Sequence, residues 1–204
     1  MIDFSIVIQA GGQSSRMGQD KGLVTFGGST LVEFVLSQVH HYKTESFIIS
    51  NNVQSYSNFG VPVYPDVIPD IGALGGVYSA LYHAKTEYIL LLAVDMPFVN
   101  STLLDYLLES AEGYDVVIPQ ISDDGFLEPF RAVYSRNCLK PIRKMIDQGK
   151  RRVISFFDLV RVKAVEQEQV RALDPEGRSF FNVNTPADLA KAKTWLEDKS
   201  KKNE

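Results

Sequence analysis

The feature that most limits the fold of this chain is a continuous apolar run over residues 88–94, followed by an acidic residue and a proline. A strand exposed on one face alternates apolar and polar residues, whereas a strand covered on both faces is apolar throughout. The run is also far too short to span a membrane. It therefore predicts a central strand in a sheet that has helices on both of its faces.

Strand-like and helix-like patterns alternate along most of the chain. The predicted strands cover residues 4–8, 46–49, 61–64, 88–94, 115–119, 126–134 and 160–165, and the predicted helices cover residues 30–42, 75–84, 102–110, 137–148 and 186–196. This alternation indicates the α/β class, as a single-domain, Rossmann-like three-layer sandwich with a mostly parallel central sheet. We expect one domain over residues 1–196, followed by a charged tail over residues 197–204 that is a frayed helix end.

Composition narrows the classes of function. The chain has 21 Lys and Arg against 25 Asp and Glu, a net charge of −4, which weighs against a non-specific nucleic-acid binder. An anionic ligand must then be held locally, by loop amides, a few basic side chains or a metal ion. The single cysteine, Cys138, excludes an internal disulfide and fits a reducing compartment. The first apolar run lacks a basic leader, so we expect a cytoplasmic protein without membrane contact.

Residues 10–21, directly after the first predicted strand, are typical of a phosphate-binding loop. In open α/β sheets, ligands bind at the carboxyl ends of the strands. Gly11 and Gly12 allow the backbone to approach a ligand, and Arg16 and Lys21 supply positive charge. The loop matches neither the Walker A pattern nor G-x-G-x-x-G. The alternative is a tight strand-to-helix turn with solvated charges.

Carboxylates follow two other predicted strands at the same edge. Asp95 comes directly after the apolar run, where it is a candidate Mg²⁺ ligand, because Mg²⁺ is usually held by one or two carboxylates and the substrate phosphates. Its alternative role is a helix cap or a turn residue. Asp66 has a weaker case, since Asp after Pro is common in turns. Backbone amides of residues 72–76 could face an anion, or the glycines there could allow close helix–sheet packing.

Several motifs together resemble the molybdenum cofactor guanylyltransferases. They lie at residues 10–12, 15–18, 20–21, 72–76, 94–97, 128–129, 132–134, 149–153 and 182–186, and so span almost the whole chain. The loop alone matches only a wider group of nucleotidyltransferases, which includes sugar-phosphate and molybdopterin cytidylyl enzymes. The Glu-Pro, Lys-Arg-Arg and Asn-Val-Asn-Thr-Pro segments favour the guanylyl enzymes. Gln9 departs from the pattern, because the family often has Leu before Ala-Gly-Gly.

This resemblance implies substrates, a cofactor and roles for individual residues. The substrates are GTP and molybdenum-molybdopterin, the cofactor is Mg²⁺, and transient contact with cofactor-delivering or molybdoenzyme maturation proteins is expected. The implied nucleotide-binding residues are Gln9, Ala10, Gly11, Gly12, Lys21, Asn51, Asp66 and Asp95, with Asp95 also binding the metal. The implied pterin-side residues are Gly76, Arg151, Arg152, Asn182 and Asn184. The arginines could equally be a solvated helix face, and the asparagines could be ordinary helix caps.

The implied reaction needs charge stabilisation more than a base. A phosphate monoester carries about −1.5 to −2 charge at pH 7 and is already a nucleophile. Arg16, Lys21 and Asp95 are therefore the expected catalytic residues, through positioning and electrostatics. The sequence does not place Glu128 or Asp124. It favours the core for six phenylalanines, at positions 126, 130, 156, 157, 180 and 181.

Two rival functions remain open at the level of sequence. One is a cytidylyltransferase or sugar-phosphate nucleotidyltransferase on the same fold. The other is a nucleotide-binding or cofactor-carrier module without catalytic activity.

Overall fold

The computed structural model describes residues 2–11 and 20–202. Its strands are β1 (Phe4–Gln9), β2 (Thr25–Phe26), β3 (Ser29–Thr30), β4 (Ser46–Ile49), β5 (Val63–Tyr64), β6 (Tyr88–Ala93), β7 (Val116–Pro119), β8 (Arg131–Ser135) and β9 (Val162–Val165). Its α-helices are α1 (Leu31–Val39), α2 (Val53–Tyr56), α3 (Ala73–His83), α4 (Ser101–Glu109), α5 (Leu139–Asp147), α6 (Gln167–Leu173) and α7 (Pro186–Lys202). None of the described helices is both long and apolar enough to cross a membrane.

Seven of the strands form one mixed, mostly parallel sheet in the order β5-β4-β1-β6-β8-β7-β9. Strands β5, β4, β1 and β6 pair in parallel, as do β7 and β9, while β8 is antiparallel to both of its neighbours. The chain leaves β1 towards β4 and later returns to β6 on its other side. The resulting crevice between the ends of β1 and β6 is where open α/β sheets bind ligands.

Helices cover the sheet on both faces and give the three layers that the sequence predicts. One core cluster packs α1, α4, α6 and α7 against the sheet, and the other packs α3 and α5 against the opposite face. Every residue of β6 is buried, because this strand lies inside the sheet and helices cover both of its faces. The fold class predicted from the apolar run is therefore confirmed.

Local signals explain where several helices begin. Thr30 and Glu33 form a reciprocal capping box at the start of α1. Thr185 and Asp188 do the same for α7: the Thr185 Oγ1 accepts from the Asp188 amide at 3.1 Å, and the Asp188 carboxylate accepts from the Thr185 amide at 2.8 Å. Helix α7 runs on through Lys202, into the charged segment.

Some predicted elements differ from the observed ones. The strand expected over residues 126–134 was wrong at its start, because a turn with Gly125 at φ +83° and Pro129 precede β8, which begins at Arg131. The short hairpin of β2 and β3 was not predicted, although Gly27 and Gly28 both have positive φ, as such two-residue turns require. Helices α2 and α6 were also missed.

Candidate active site

A cavity of about 370 Å³ lies at the carboxyl ends of β1 and β6. Its lining residues are Gln9, Ala10, Gly11, Asp20, Lys21, Ala93, Val94, Asp95, Met96, Phe126, Glu128, Pro129, Phe130 and Asn182. A larger groove of about 920 Å³ between α3 and α5 contains none of the predicted site residues. We assign the site to the smaller cavity because it lies at the crevice where the strand order reverses.

Lys21 and Asp95 form the charged centre of this cavity. The Lys21 Nζ donates to the Asp95 Oδ2 at 3.2 Å and also to the Asn184 Oδ1. Their side chains are 20% and 25% exposed, so both are reachable from solvent but partly shielded. The structure thus brings together two residues predicted to bind nucleotide and one predicted to lie near the pterin.

Asp20 fixes the backbone that carries Lys21. Its Oδ1 accepts from the Gly22 amide at 3.2 Å, which caps a short 3₁₀ helix over Lys21–Leu23, and it also accepts from the buried Tyr56 hydroxyl. Burial, followed by the hydrogen bond to Asp20, raises the pKa of Tyr56, which therefore stays protonated and donates. A Cβ at Gly22 would lie 2.3 Å from the Tyr56 Oη, so only glycine fits there. The local sequence pattern does not indicate this supporting role of Asp20, because Tyr56 lies 36 residues later in the chain.

Gln9 closes the floor of the cavity beside α3. Its side chain is almost completely buried, and a Cβ at Gly76 would lie 2.9 Å from its Cδ, Oε1 and Nε2. The Gly76 backbone itself is also buried in α3. Gly76, predicted on the pterin side, therefore provides space for Gln9, which agrees with the close-packing alternative for this segment.

Glu128 adds a third carboxyl side chain to the cavity lining, after Asp20 and Asp95. It is 7% exposed, and its Oε1 accepts from the Phe130 amide at 3.0 Å. Burial raises the pKa of Glu128, and the charge of Asp95 acts in the same direction. The position of Glu128 could not be predicted from the sequence. It lies in the cavity because the turn before β8 returns the chain to the end of β6.

Arg131 supports the cavity from beneath. It is fully buried, and its Nη2 donates at 2.8 Å to the main-chain oxygens of Met96 and Ser179. Burial lowers its pKa to about 10, so the guanidinium remains charged at neutral pH. The Val183 amide donates at 2.7 Å to the main-chain oxygen of Asp95, which ties the same turn to the segment before α7. These contacts fix the position of Asp95.

The position of Phe126 differs from the one predicted. The sequence favoured the core for this residue, but its side chain is 56% exposed and lines both the cavity and an adjoining groove of about 430 Å³. The turn before β8 holds it outside the sheet: the Ser122 Oγ accepts from the Phe126 amide at 3.2 Å. Phe156 is buried as expected, and the other four phenylalanines are partly buried against the two core clusters.

Other predicted residues lie outside the cavity lining. Asn51 and Asp66 pair with each other instead: the Asn51 Nδ2 donates to the Asp66 Oδ2, and the Asp66 amide donates to the Asn51 Oδ1, both at 2.9 Å. Of the loop residues, Gly12 and Arg16 lie outside the described part of the chain.

Arg151 and Arg152 do not lie on a helix face. Helix α5 ends at Asp147, and a 3₁₀ helix begins only at Val153. Arg151 donates to the Asp70 main-chain oxygen, whereas Arg152 lines the adjoining groove together with Asp124 and Phe126. Only Arg152 therefore faces the region next to the cavity.

The donor set of the cavity fits a metal ion that is bound mainly through the substrate. Within residues 2–11 and 20–202, no three His, Cys, Asp or Glu side chains form a group that could hold a metal ion by themselves. Asp95 alone still fits Mg²⁺, which commonly takes one or two carboxylates and completes its shell with phosphate oxygens and water. A binding site of this kind depends on the nucleotide.

Comparison with known proteins identifies the family of this chain. The family model described as "MobA-like NTP transferase domain" matches residues 6–167. A relative named "probable molybdenum cofactor guanylyltransferase" from Pelotomaculum thermopropionicum is 38% identical over 198 residues, covering 97% of this chain and 96% of its own. A "molybdenum cofactor guanylyltransferase" from Desulfosudis oleivorans is 31% identical over 193 residues, covering 94% and 95%.

Solved structures show the same fold. A protein titled molybdopterin-guanine dinucleotide biosynthesis protein A, from Archaeoglobus fulgidus, superposes with a TM-score of 0.83 at 27% identity, covering 95% of this chain and 99% of that one. A nucleotidyl transferase from Methanothermobacter superposes with a TM-score of 0.72 at 19% identity, covering 97% and 99%. At that level of identity the second likeness concerns the fold alone.

Proposed function

The chain belongs to the MobA-like NTP transferase family, and from this premise we propose that it transfers GMP from GTP to the terminal phosphate of molybdenum-molybdopterin. The products are the guanine dinucleotide form of the cofactor and pyrophosphate. The chain is thus a nucleotidyltransferase. The observation that carries the proposal is the Lys21–Asp95 pair at the carboxyl ends of β1 and β6.

Lys21 is the residue that neutralises phosphate charge. Its ammonium group is held between the Asp95 carboxylate and the Asn184 amide oxygen, so it is positioned before any nucleotide enters. A preorganised cation costs no reorganisation when negative charge develops on the leaving pyrophosphate. Arg16 adds a second charge in this proposal, on the loop that the sequence assigns to the phosphates.

Asp95 is the residue that would hold Mg²⁺. The ion, when bound, would supply charge neutralisation between the nucleotide phosphates and the attacking phosphate. Arg131 and the Val183 amide fix the main chain around Asp95, so the carboxylate is presented at the cavity by a rigid turn. Turnover should therefore need a divalent cation, and the cation concentration that gives half-maximal turnover should depend on Asp95.

The acceptor approaches from the side of Phe126, Arg152 and Asn182 in this proposal. Phe126 separates the cavity from the groove that Arg152 lines, and both spaces share Pro129. The positive charge of Arg152 in this groove suits the terminal phosphate of the acceptor. Gln9, Ala10 and Gly11 are assigned to the guanosine, and Asn51 and Asp66 to its outer border.

The deciding experiment mixes the protein with GTP, Mg²⁺ and molybdenum-molybdopterin and measures pyrophosphate release. Release with GTP, and much slower release with CTP, is expected. Faster release with CTP would identify a cytidylyltransferase, which the more distant structural relatives of the same fold include. Absence of release with tight GTP binding would identify a nucleotide-binding module.

The setting of the reaction is part of the same proposal. We assign it to the cytoplasm, where the free and buried Cys138 suits a reducing environment. The product then passes to cofactor-delivering or molybdoenzyme maturation proteins through transient contacts. Cell fractionation tests the cytoplasmic location. Crosslinking during cofactor synthesis tests the transient contacts with maturation proteins.

A further inference from the structure

Tyr56 is a fully buried polar side chain with no role in the reaction proposed above. It is the last residue of α2, its exposed fraction is 0%, and it is not among the residues that line the cavity. A buried tyrosine hydroxyl usually has a hydrogen-bond partner. Here the partner is the Asp20 carboxylate, to which the Tyr56 hydroxyl donates.

This contact lies where the predicted phosphate-binding loop ends. The Asp20 Oδ1 accepts from the Tyr56 hydroxyl and also from the Gly22 amide at 3.2 Å, so one carboxylate oxygen joins α2 to the backbone on both sides of Lys21. The Leu23 amide donates at 3.1 Å to the Asp20 main-chain oxygen. Lys21 therefore lies within a closed turn that a single hydroxyl group connects to α2.

The Tyr56 ring also supports this turn sterically. A Cβ at Gly22 would lie 2.3 Å from the Tyr56 Oη and 3.0 Å from its Cε1, so the Gly22 backbone lies directly against the ring. Phe59 packs against the same ring, with the two centroids 5.8 Å apart. The hydroxyl is thus held at one place beneath the turn.

The ammonium end of Lys21 is held by groups that the substrates would change. It donates to the Asp95 Oδ2 and to the Asn184 Oδ1. Asp95 is the candidate Mg²⁺ ligand, so a bound ion would compete for that carboxylate. The backbone turn then becomes the main determinant of where the ammonium group lies.

We propose that Tyr56 is a positioning residue for nucleotidyl transfer. Through its hydrogen bond to Asp20, it holds the turn from which the Lys21 ammonium group meets the nucleotide phosphates. The inference rests on the transfer reaction proposed above and adds to it a residue outside the cavity lining, which acts only through its neighbours.

The test compares Tyr56→Phe with the matched control Tyr42→Phe. The Tyr42 hydroxyl donates to the Asp105 Oδ1 at 2.7 Å, away from the cavity lining, so each variant keeps its ring and loses one tyrosine–aspartate hydrogen bond. Both should lower Tm. Only Tyr56→Phe should also lower kcat for pyrophosphate release, by about 10-fold at saturating GTP and Mg²⁺, because a misplacement of about 1 Å can cost about 10²-fold. A kcat within about 2-fold of the wild type would show a purely structural hydroxyl and overturn the proposal.

Substitutions of Asp20 test the same hydrogen bond without changing the buried core around the ring. Asp20→Asn keeps an oxygen that can accept from both donors and should retain most of the turnover. Asp20→Ala should lose as much turnover as Tyr56→Phe, and the combined variant should lose no more than either one, since the two side chains act as a unit. Additive losses in the combined variant would refute the proposal.

A double-mutant cycle with Lys21 isolates the route of the effect. In the Lys21→Met background, Tyr56→Phe should leave the residual kcat within about 2-fold, because the group that it positions is already absent. A further loss of about 10-fold in that background would show that the hydroxyl acts by another route and would overturn the inference.

GTP binding, measured by calorimetry without acceptor substrate, separates this inference from the proposed transfer. Tyr56→Phe should weaken GTP binding about 3-fold in the wild type and leave it unchanged in the Lys21→Met background. If that pattern is found but pyrophosphate is never released, the transfer fails and the positioning of Lys21 stands. If Tyr56→Phe releases pyrophosphate at the wild-type rate, the transfer stands and this inference fails.

Discussion

Replacing Lys21 by Met should separate catalysis from folding more cleanly than any other change at the site. The Lys21 Nζ and the Asp95 Oδ2 lie 3.2 Å apart, and charges at that distance attract by about 5 kcal/mol at an effective dielectric constant of about 20. Desolvation and side-chain entropy offset most of this, and exposed pairs contribute only about 0–1 kcal/mol net. We therefore expect a Tm lower by at most about 4 °C for a chain of this size.

The expected loss of activity is much larger. Removing one preorganised donor to developing negative charge costs about 10²–10³-fold in kcat, or about 2.7–4 kcal/mol. Lys21→Met should therefore lower kcat/KM for pyrophosphate release by at least about 10²-fold at saturating Mg²⁺. GTP affinity, measured by calorimetry, should fall as well.

A matched control is Lys163→Met. The Lys163 Nζ donates to the Ser110 Oγ at 3.1 Å and lies over two tyrosine rings, on β9 and outside the cavity lining. It should lose a similar small amount of stability and keep wild-type turnover. If Lys21→Met retained kcat/KM within about 3-fold of the wild type, which is less than 1 kcal/mol, the assignment of Lys21 to the phosphates would be refuted.

Three further changes test the remaining roles. Asp95→Asn should raise the Mg²⁺ concentration needed for half-maximal turnover and lower kcat while Tm stays nearly constant; an unchanged Mg²⁺ dependence would contradict the metal assignment. Gly76→Ala places a Cβ 2.9 Å from the Gln9 amide and should cost about 1–3 kcal/mol of overpacking, less about 1 kcal/mol of helix propensity; chemical denaturation should show that adding Gln9→Ala restores most of it. Glu128→Gln should be more stable than the wild type at pH 7, because burial raises the pKa of Glu128 in the folded protein and its ionisation therefore opposes folding. This difference in the free energy of unfolding should vanish as the pH falls through the raised pKa to below the ordinary value of 4.5. A difference that stays constant with pH would exclude burial of the charged carboxylate as its cause.

Sequence periodicity was sufficient for the fold class and for the edge of the sheet that holds the site. The apolar run that became β6 predicted a strand covered on both faces, because its residues could not otherwise be buried. The same reasoning placed Lys21 and Asp95 at one edge, since parallel strands end together. The helix cap at Thr185 could also be predicted, because it depends only on residues within four positions of each other.

Only the tertiary structure decided which side chains share the cavity. Glu128 and Phe126 depend on a turn before an antiparallel strand, and strand direction is set by pairing with β6 and β7 rather than by local pattern. The partner of Gly76 is Gln9, 67 residues earlier in the chain, and the link exists because α3 packs across the end of β1. Sequence determines the residues that can do the chemistry, and long-range packing determines their distances, because contacts between distant segments leave no periodic signal in either segment.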